Sequence, residues 1–525
     1  MENINSDIQP KIIGSAPSIV EHFSIEGLYG YRTVGLSSKY AATILIAKNG
    51  SGKTTLLGAL DAFLKMQFGR FSNIQFDQIK CKLIGHSDLL CLSRDDALSV
   101  LNISPNDELC TYARTVNLEP RVLRDFLEFD YPALMRNNAG YGEHDIFDTL
   151  VYKSGYTRHD VIKTCDRLLE ALYEQNDNIK YLRSVIKSVT QEVEIVYLPT
   201  YRRIELPLNE ESDEPNKYYK KKKPSIRSRL GIASSSLFNA DIHFGLSDIS
   251  ERLSALNQEI LFNSNEGYRE ISANIINELI SGVFERASPN PEDRPDKESL
   301  NLFFSRLKDG RRMRPFGDVA IPDIDKIYSG LDLDISDQSN KFLTYFLSKL
   351  NTVIKATRGI ELQVEEFVNN CNRYLSADYC GDEALHKSGL DGTKPLSVDD
   401  KILRLNRRDL QVSVQSLATK RKISINLLSS GEKQMISLFA LLYLYPGKKI
   451  ILIDEPELSL SLDWQRKILL DVLNSSSCAQ VIAITHSPFV FDNALEPYAQ
   501  ALSLTISPDA IQENAEGEEE DDINV

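Results

Sequence analysis

The segment Ala47-Lys48-Asn49-Gly50-Ser51-Gly52-Lys53-Thr54 constrains this chain more than any other. It follows the apolar, β-branched run Thr43-Ile44-Leu45-Ile46-Ala47 and precedes Leu56, Leu57, Leu60, Phe63 and Leu64, which recur at helical spacing. A strand that runs through a glycine-rich turn into a helix is the setting of a phosphate-binding loop. Gly50 and Gly52 allow successive backbone N–H groups to face one anion, and the helix N-terminus adds its positive dipole end. Asn49, Gly50, Ser51, Gly52, Lys53, Thr54 and Thr55 are therefore the nucleotide-binding candidates. Lys53 is expected to bridge the β- and γ-phosphates of ATP, and the Thr54 hydroxyl to bind Mg²⁺. Ala47 stands where the strict pattern has glycine, which adds one methyl group at the strand end.

Three later segments extend this reading. In Ile450-Ile451-Leu452-Ile453-Asp454-Glu455-Pro456, four apolar residues in a row fit a strand buried on both faces of a parallel sheet. Two carboxylates at its end are costly to bury unless they act. Asp454 is expected to hold the Mg²⁺ water shell, and Glu455 to act as general base on the water that attacks the γ-phosphate. Leu428-Ser429-Ser430-Gly431-Glu432-Lys433-Gln434 precedes an apolar helix, where a serine–glycine turn offers N–H donors and a hydroxyl to an anion. Taken alone, that segment reads more readily as an ordinary capped helix. Thr485-His486-Ser487 closes the apolar run Val481-Ile482-Ala483-Ile484, and His486 is placed to hydrogen-bond the γ-phosphate and the attacking water. Lys53, Glu455 and His486 are thus the catalytic candidates.

The order of these four segments resembles the ABC-type ATPase head, and within it the SMC, RecF and OLD-like branch. The marks are LSSGEKQ, IDEPELSLSLDWQ and AITHSPFVFDN. The resemblance implies an ATP-dependent head-to-head dimer, with Ser429 and Gly431 of one head touching the γ-phosphate held by the other. Ser430 replaces the first glycine of the LSGGQ pattern and Glu432 its glutamine, as occurs in the SMC-like branch. Ser459 to Asp463 match the D-loop, which crosses the dimer seam. A narrower resemblance is to the PtuA family, the ATPases of Septu and retron-associated bacterial defence systems. It rests on a helical insert, the absence of room for a Toprim domain in the 39 residues after His486, and Val196-Tyr197-Leu198-Pro199-Thr200-Tyr201-Arg202-Arg203. That family implies an HNH nuclease partner and, in retrons, a reverse transcriptase with its multicopy single-stranded DNA. A RecF-like repair or replication ATPase that binds nucleic acid is the alternative. A transporter subunit fits less well with the long insert and the DWQ sequence.

The expected fold class is α/β: a P-loop ATPase head of ABC type, a mixed sheet with flanking helices, split by a large, mainly helical insertion. Between Thr54 and Leu428 lie 373 residues, far more than a compact head needs. The expected division is 1–85 as the first part of the head, 86–190 as a helical insertion and 191–205 as a head strand. Residues 206–400 are expected to hold a basic loop and further helices, 401–510 the rest of the head, and 511–525 a disordered acidic tail. Helices are expected at 158–174, 247–285, 338–356, 361–376, 431–444 and 462–474. Strands are expected at 22–28, 74–84, 193–198, 410–416, 422–427, 449–453, 480–485 and 500–506. No internal repeat or sustained heptad pattern supports a coiled coil.

The 75 acidic and 60 basic side chains give a formal charge of −15, which at first argues against a nucleic-acid partner. The charge is uneven, however. Residues 513–525 carry seven acids and no base, whereas 217–229 carries seven bases and no acid. In that basic loop Lys220, Lys221, Lys222, Lys223 and Arg227 lie beside Tyr218 and Tyr219. This suits single-stranded nucleic acid, or equally a solvated charge run. Arg202 and Arg203 either sense the γ-phosphate or supply charge across the dimer, or equally form plain ion pairs. Gln75 or Gln78 is either a Q-loop glutamine or an outward edge-strand residue. Seven dispersed cysteines without a CxxC pair read as reduced thiols, and the histidines are too scattered for a metal site. No run approaches a membrane span and the N-terminus lacks a secretory pattern, so a cytoplasmic protein without a membrane partner is expected.

Overall fold

The computed structural model describes residues 14–48, 50–105, 107–136, 144–174, 176–199, 246–281, 293–309, 322–328, 337–376, 400–424 and 427–507. The chain divides into two compact units, one of residues 1–242 with 447–525 and the other of residues 243–446. This differs from the expected division in two places. The helices between 94 and 190 belong with the head strands, and residues 401–446 belong with the inserted helices.

In the first unit the runs of buried aliphatic residues form a parallel sheet. Its strands are β3 (Ala42–Ile46), β6 (Val193–Leu198), β10 (Lys448–Asp454), β11 (Cys478–Thr485) and β12 (Ala499–Ala501), in the order β12-β3-β11-β10-β6. Every neighbouring pair is parallel, with Ile46 opposite Thr485 and Asp454 opposite Ile484. Three strands therefore end at one edge, the place where an open α/β sheet binds its ligands. β10 and β11 are buried over almost their whole length, as a strand covered on both faces requires.

A second, antiparallel sheet has the order β13-β2-β1-β4-β5, from β1 (Val20–Leu28), β2 (Arg32–Ser37), β4 (Gln78–Leu83), β5 (Leu90–Ser93) and β13 (Ser503–Ile506). In β4 partly exposed and buried residues alternate, so one face packs inward and the other meets solvent. The expected single strand at 500–506 is two strands in two sheets. β12 pairs with β3 and β13 pairs with β2, and the crossing residue Leu502 donates its N–H to Ile46 O at 3.0 Å.

The helix α1 (Lys53–Leu64) buries every residue except Thr54. A helix that is apolar nearly all round belongs inside a core. Its Leu56, Leu60 and Phe63 share one hydrophobic cluster with Phe23 and Val34 of the antiparallel sheet and Ile450 and Ile482 of the parallel sheet. Leu123, Phe126, Leu168 and Ile179 of the helices after β5 join the same cluster, which is why those helices are not a separate lobe.

The second unit holds the long helices Leu246–Ile280 and Asp337–Leu375, which pack together with Lys297–Asp309 around Ile271, Phe303, Leu347 and Leu350. In place of the two helices expected across 338–376, one continuous helix is found. Gly359, at the expected break, follows Arg358, which pairs with Glu361 at 3.0 Å and Glu365 at 2.9 Å and so holds the turn. The unit also contains the small sheet β7 (Lys401–Asn406), β8 (Gln411–Ser416) and β9 (Lys422–Ile423), and the helix Ser430–Leu444. The six described cysteines are unpaired thiols, and no helix among the described residues is long and apolar enough to cross a membrane.

Candidate nucleotide site

The turn between β3 and α1 takes the shape its glycines allow. Gly50 and Gly52 have φ of 78° and 88°, left-handed values that cost a side-chain-bearing residue energy. Ser51 closes the turn, its hydroxyl donating to Lys48 O at 2.8 Å. Arg32, at the start of β2, donates to Gly50 O at 2.9 Å and so ties the turn to the neighbouring sheet. Its guanidinium lies over the rings of Tyr29 and Tyr31, at 5.0 and 5.5 Å, and both tyrosines remain exposed.

Side chains from the first turn of α1 and from the ends of β10 and β11 converge in front of this turn. Lys53 Nζ donates to Glu455 Oε1 at 3.0 Å and also meets His486 Nε2. His486 Nε2 and Glu455 Oε1 are 3.7 Å apart. Beside them the Thr54 hydroxyl donates to Asp454 Oδ2 at 2.7 Å. Asp454 is buried, whereas Glu455 and His486 keep partial solvent contact. Residues 402 and 433 positions apart in the chain thus meet at one ammonium group.

The backbone of Glu455 is itself unusual, with a φ of 54°. A non-glycine residue there costs of order 1–3 kcal/mol and persists only where the surroundings hold it. Its N–H donates to Ile484 O at 2.8 Å, and its carbonyl accepts from Leu458 N at 3.2 Å. The strain turns the carboxylate back toward Lys53 instead of letting the chain continue as a strand.

Two further residues hold the loop after β11. One oxygen of Glu457 accepts the N–H of His486 at 2.8 Å and of Ser487 at 3.2 Å. Gln465 accepts the Ser487 hydroxyl at 2.8 Å and donates to Leu460 O at 3.0 Å. Arg32, Glu457 and Gln465 were not among the candidates read from the sequence. Glu457 and Gln465 lie inside the IDEPELSLSLDWQ stretch without a distinguishing signal of their own, and Arg32 carries no local motif at all.

Ser429 and Gly431 lie in the second unit. Ser429 caps the helix Ser430–Leu444, its hydroxyl accepting Glu432 N at 3.3 Å, while Glu432 Oε2 accepts Ser429 N at 2.7 Å. This reciprocal capping box explains the glutamate at that position. Lys401 pairs with the same carboxylate at 2.9 Å. Ser429 is left exposed at the helix start and Gly431 is buried. Gln75 is exposed beside the Gly30 turn, and its backbone carbonyl accepts Tyr29 N at 2.9 Å; Gln78 opens β4 opposite Glu26. Asn49, Arg202, Arg203, Lys220, Lys221, Lys222, Lys223, Arg227 and the acidic tail lie outside the described residues.

The family model described as AAA ATPase domain matches residues 19–491. No curated protein matches the chain. Among solved structures, an SMC head bound to the C-winged helix domain of ScpA is 11% identical with a TM-score of 0.31, covering 94% of this chain and 100% of that one. An SMC head domain with an extended coiled coil, bound to the C-terminal domain of ScpA derived from Pyrococcus furiosus, is 12% identical with a TM-score of 0.30, covering 95% and 98%.

Proposed function

The chain belongs to the AAA ATPase domain family, and from that premise we propose an ABC-type ATPase in which two copies close head to head on ATP. As a member of that family it binds and hydrolyses ATP. The observation that carries the proposed mechanism is the convergence of Lys53, Thr54, Asp454, Glu455 and His486 at one edge of the parallel sheet.

In this reading Lys53 and the N–H groups of the glycine turn hold the β- and γ-phosphates. The Thr54 hydroxyl and the Asp454 carboxylate, 2.7 Å apart, form a pair of hard oxygen donors. That donor set suits Mg²⁺, which takes few protein ligands and completes its shell with water and phosphate oxygens. When bound, the ion neutralises charge on the transferring phosphoryl group. Glu455 takes the proton of the attacking water, and its partial exposure gives water a route to it. His486 donates to the γ-phosphate. Tyr29 and Tyr31, exposed residues with the Arg32 guanidinium over their rings, are the aromatic groups beside the turn that can take the adenine base. Ser429 and Gly431 of one copy contact the γ-phosphate held by the other; the LSSGEKQ motif and the exposed position of Ser429 at the helix cap support this role.

The motif resemblance to PtuA supports a cellular role: control of a partner nuclease of HNH type in anti-phage defence. A reverse transcriptase and its multicopy single-stranded DNA are further partners in that setting, and higher oligomers can form from the head dimer.

Glu455→Gln tests the core of the proposal. It should cut turnover by about 10²–10⁴-fold, the usual share of a general base. It should retain ATP and hold a dimer, read by light scattering after gel filtration in ATP. Hydrolysis at the parent rate would remove Glu455 from the base role, and a monomer at saturating ATP would remove the head-to-head closure. Affinity capture from the native host, with protein and nucleic acid both identified, tests the cellular role; recovery of no nuclease ends it.

A further inference from the structure

The loop that carries His486 leaves the parallel sheet where its hydrogen-bond partners run out. Thr485 pairs with Ile46, the last residue of β3, and β10 ends at Asp454, opposite Ile484. The next two N–H groups, of His486 and Ser487, have no ladder to join. His486 is exposed and Ser487 half-buried, so water can reach both, and a protein acceptor serves to fix the loop in one position.

Glu457 satisfies both with one carboxylate oxygen, at 2.8 and 3.2 Å. Hydrogen bonds to an ionised acceptor are roughly twice as strong as neutral ones, and two consecutive N–H groups around an anion form a small nest. Ser487 N also donates to Thr485 Oγ1 at 2.9 Å, which fixes the turn from its other side. The second Glu457 oxygen is buried and makes no hydrogen bond among the described residues. The carboxylate is thus committed to the His486 loop.

Glu457 itself sits on a turn set by two left-handed residues, Glu455 at φ 54° and Ser459 at φ 63°. Gln465 braces that turn, donating to Leu460 O and accepting from Ser487. The turn that aims Glu455 and the loop that aims His486 are therefore one hydrogen-bonded body. The imidazole branches from the same residue whose N–H Glu457 holds.

We propose that Glu457 is a positioning residue for His486: its carboxylate clamps the backbone of His486 and Ser487 so that the imidazole faces Lys53 and Glu455. Gln465 supports it by holding the Leu460 turn and Ser487 together. The proposal rests on the reading of His486 as a contact of the γ-phosphate.

The test compares Glu457→Ala and Glu457→Gln in the parent and in a His486→Ala background. A misplacement of about 1 Å costs on the order of 10²-fold. Glu457→Ala should therefore lower kcat by about tenfold to a hundredfold while KM moves by less than about twofold. Glu457→Gln keeps a neutral acceptor and should lose only about threefold. In the His486→Ala background neither change should lower kcat further, because residues acting as a unit are not additive. An unchanged kcat, or the same fold-loss in both backgrounds, overturns the proposal. If the alanine variant does not fold, the glutamine variant decides by the same two criteria. Hydrogen exchange over 480–490 separates this proposal from the reading it rests on. If His486→Ala keeps the parent kcat, His486 loses its catalytic role. Faster exchange in Glu457→Ala would then still support the clamp, and unchanged exchange would remove it.

Discussion

At its first turn α1 presents Lys53 and Thr54 to side chains that come from distant strands; from its last turn onward it runs into a buried ionic cluster. At the cluster, Asp61 pairs with Arg70 at 2.7 Å and with Lys65 at 2.9 Å. Arg70 also donates to Gln67 at 2.9 Å, and Gly69 N donates to Glu128 Oε1 at 2.6 Å. Asp61 and Arg70 are wholly buried. At the first turn the polar groups Glu455 and His486 keep partial access to solvent and the backbone relies on left-handed residues. Buried ion pairs add little net stability, since desolvation offsets their attraction, but breaking one is costly. The cluster thus ties the end of the helix to the turn that follows it and, through Gln67 and Gly69, to Glu128, while the first turn is free to direct its polar groups at a ligand. Reactive groups need a rigid support, and here the support is twelve residues of helix anchored from behind.

If that contrast holds, changes at the two ends should fail in different ways. The largest effect is expected from Lys53→Ala, which should abolish measurable ATP binding in a titration while thermal stability stays near the parent value. Undiminished affinity would contradict the phosphate-binding reading. Asp61→Ala should do the reverse. It strips two buried cations of their carboxylate and should cost about 3–5 kcal/mol in denaturant unfolding, with ATP affinity unchanged wherever the protein is still folded. A loss under about 1 kcal/mol would show that the cluster is not the anchor.

The smallest and most specific effect concerns pH. Burial pushes the Glu128 carboxyl up to about 7 from its usual 4.5, against the opposing hydrogen bond from Gly69. The folded protein therefore holds this proton more tightly than the unfolded chain. The contribution to stability is complete below about 4.5 and is lost as pH rises through about 7. Every tenfold difference in proton affinity between the two states corresponds to about 1.4 kcal/mol. Glu128→Gln should flatten stability between about pH 5 and 8, gaining relative to the parent at the upper end. An unchanged slope would mean that Glu128 does not titrate in that window.

Much of this was legible because the signals are local. Helices 158–174 and 462–474 and strand 193–198 fall where their patterns place them. The buried strands β3, β10 and β11 announce themselves as unbroken aliphatic runs. The four site segments each sit at a strand end or a helix start, where residue type and spacing constrain the backbone. Three things were not legible. The helix over 337–375 runs through Gly359, which reads as a break until the Arg358 ion pairs are known. The run at 500–506 changes sheets at Leu502, a choice made by the exposed edges of β3 and β2. The roles of Arg32, Glu457 and Gln465 depend on partners 18, 29 and 22 positions away.

By itself the sequence determined that this chain carries a phosphate-binding loop, a carboxylate pair and a strand-end histidine, because each of those signals is written within a few neighbouring residues. Only the tertiary structure decided that they share one edge. The order β12-β3-β11-β10-β6 and the register of Asp454 against Ile484 bring three strand ends together. Strand order follows from how the whole unit buries its apolar faces, a property of the complete core that no single segment encodes.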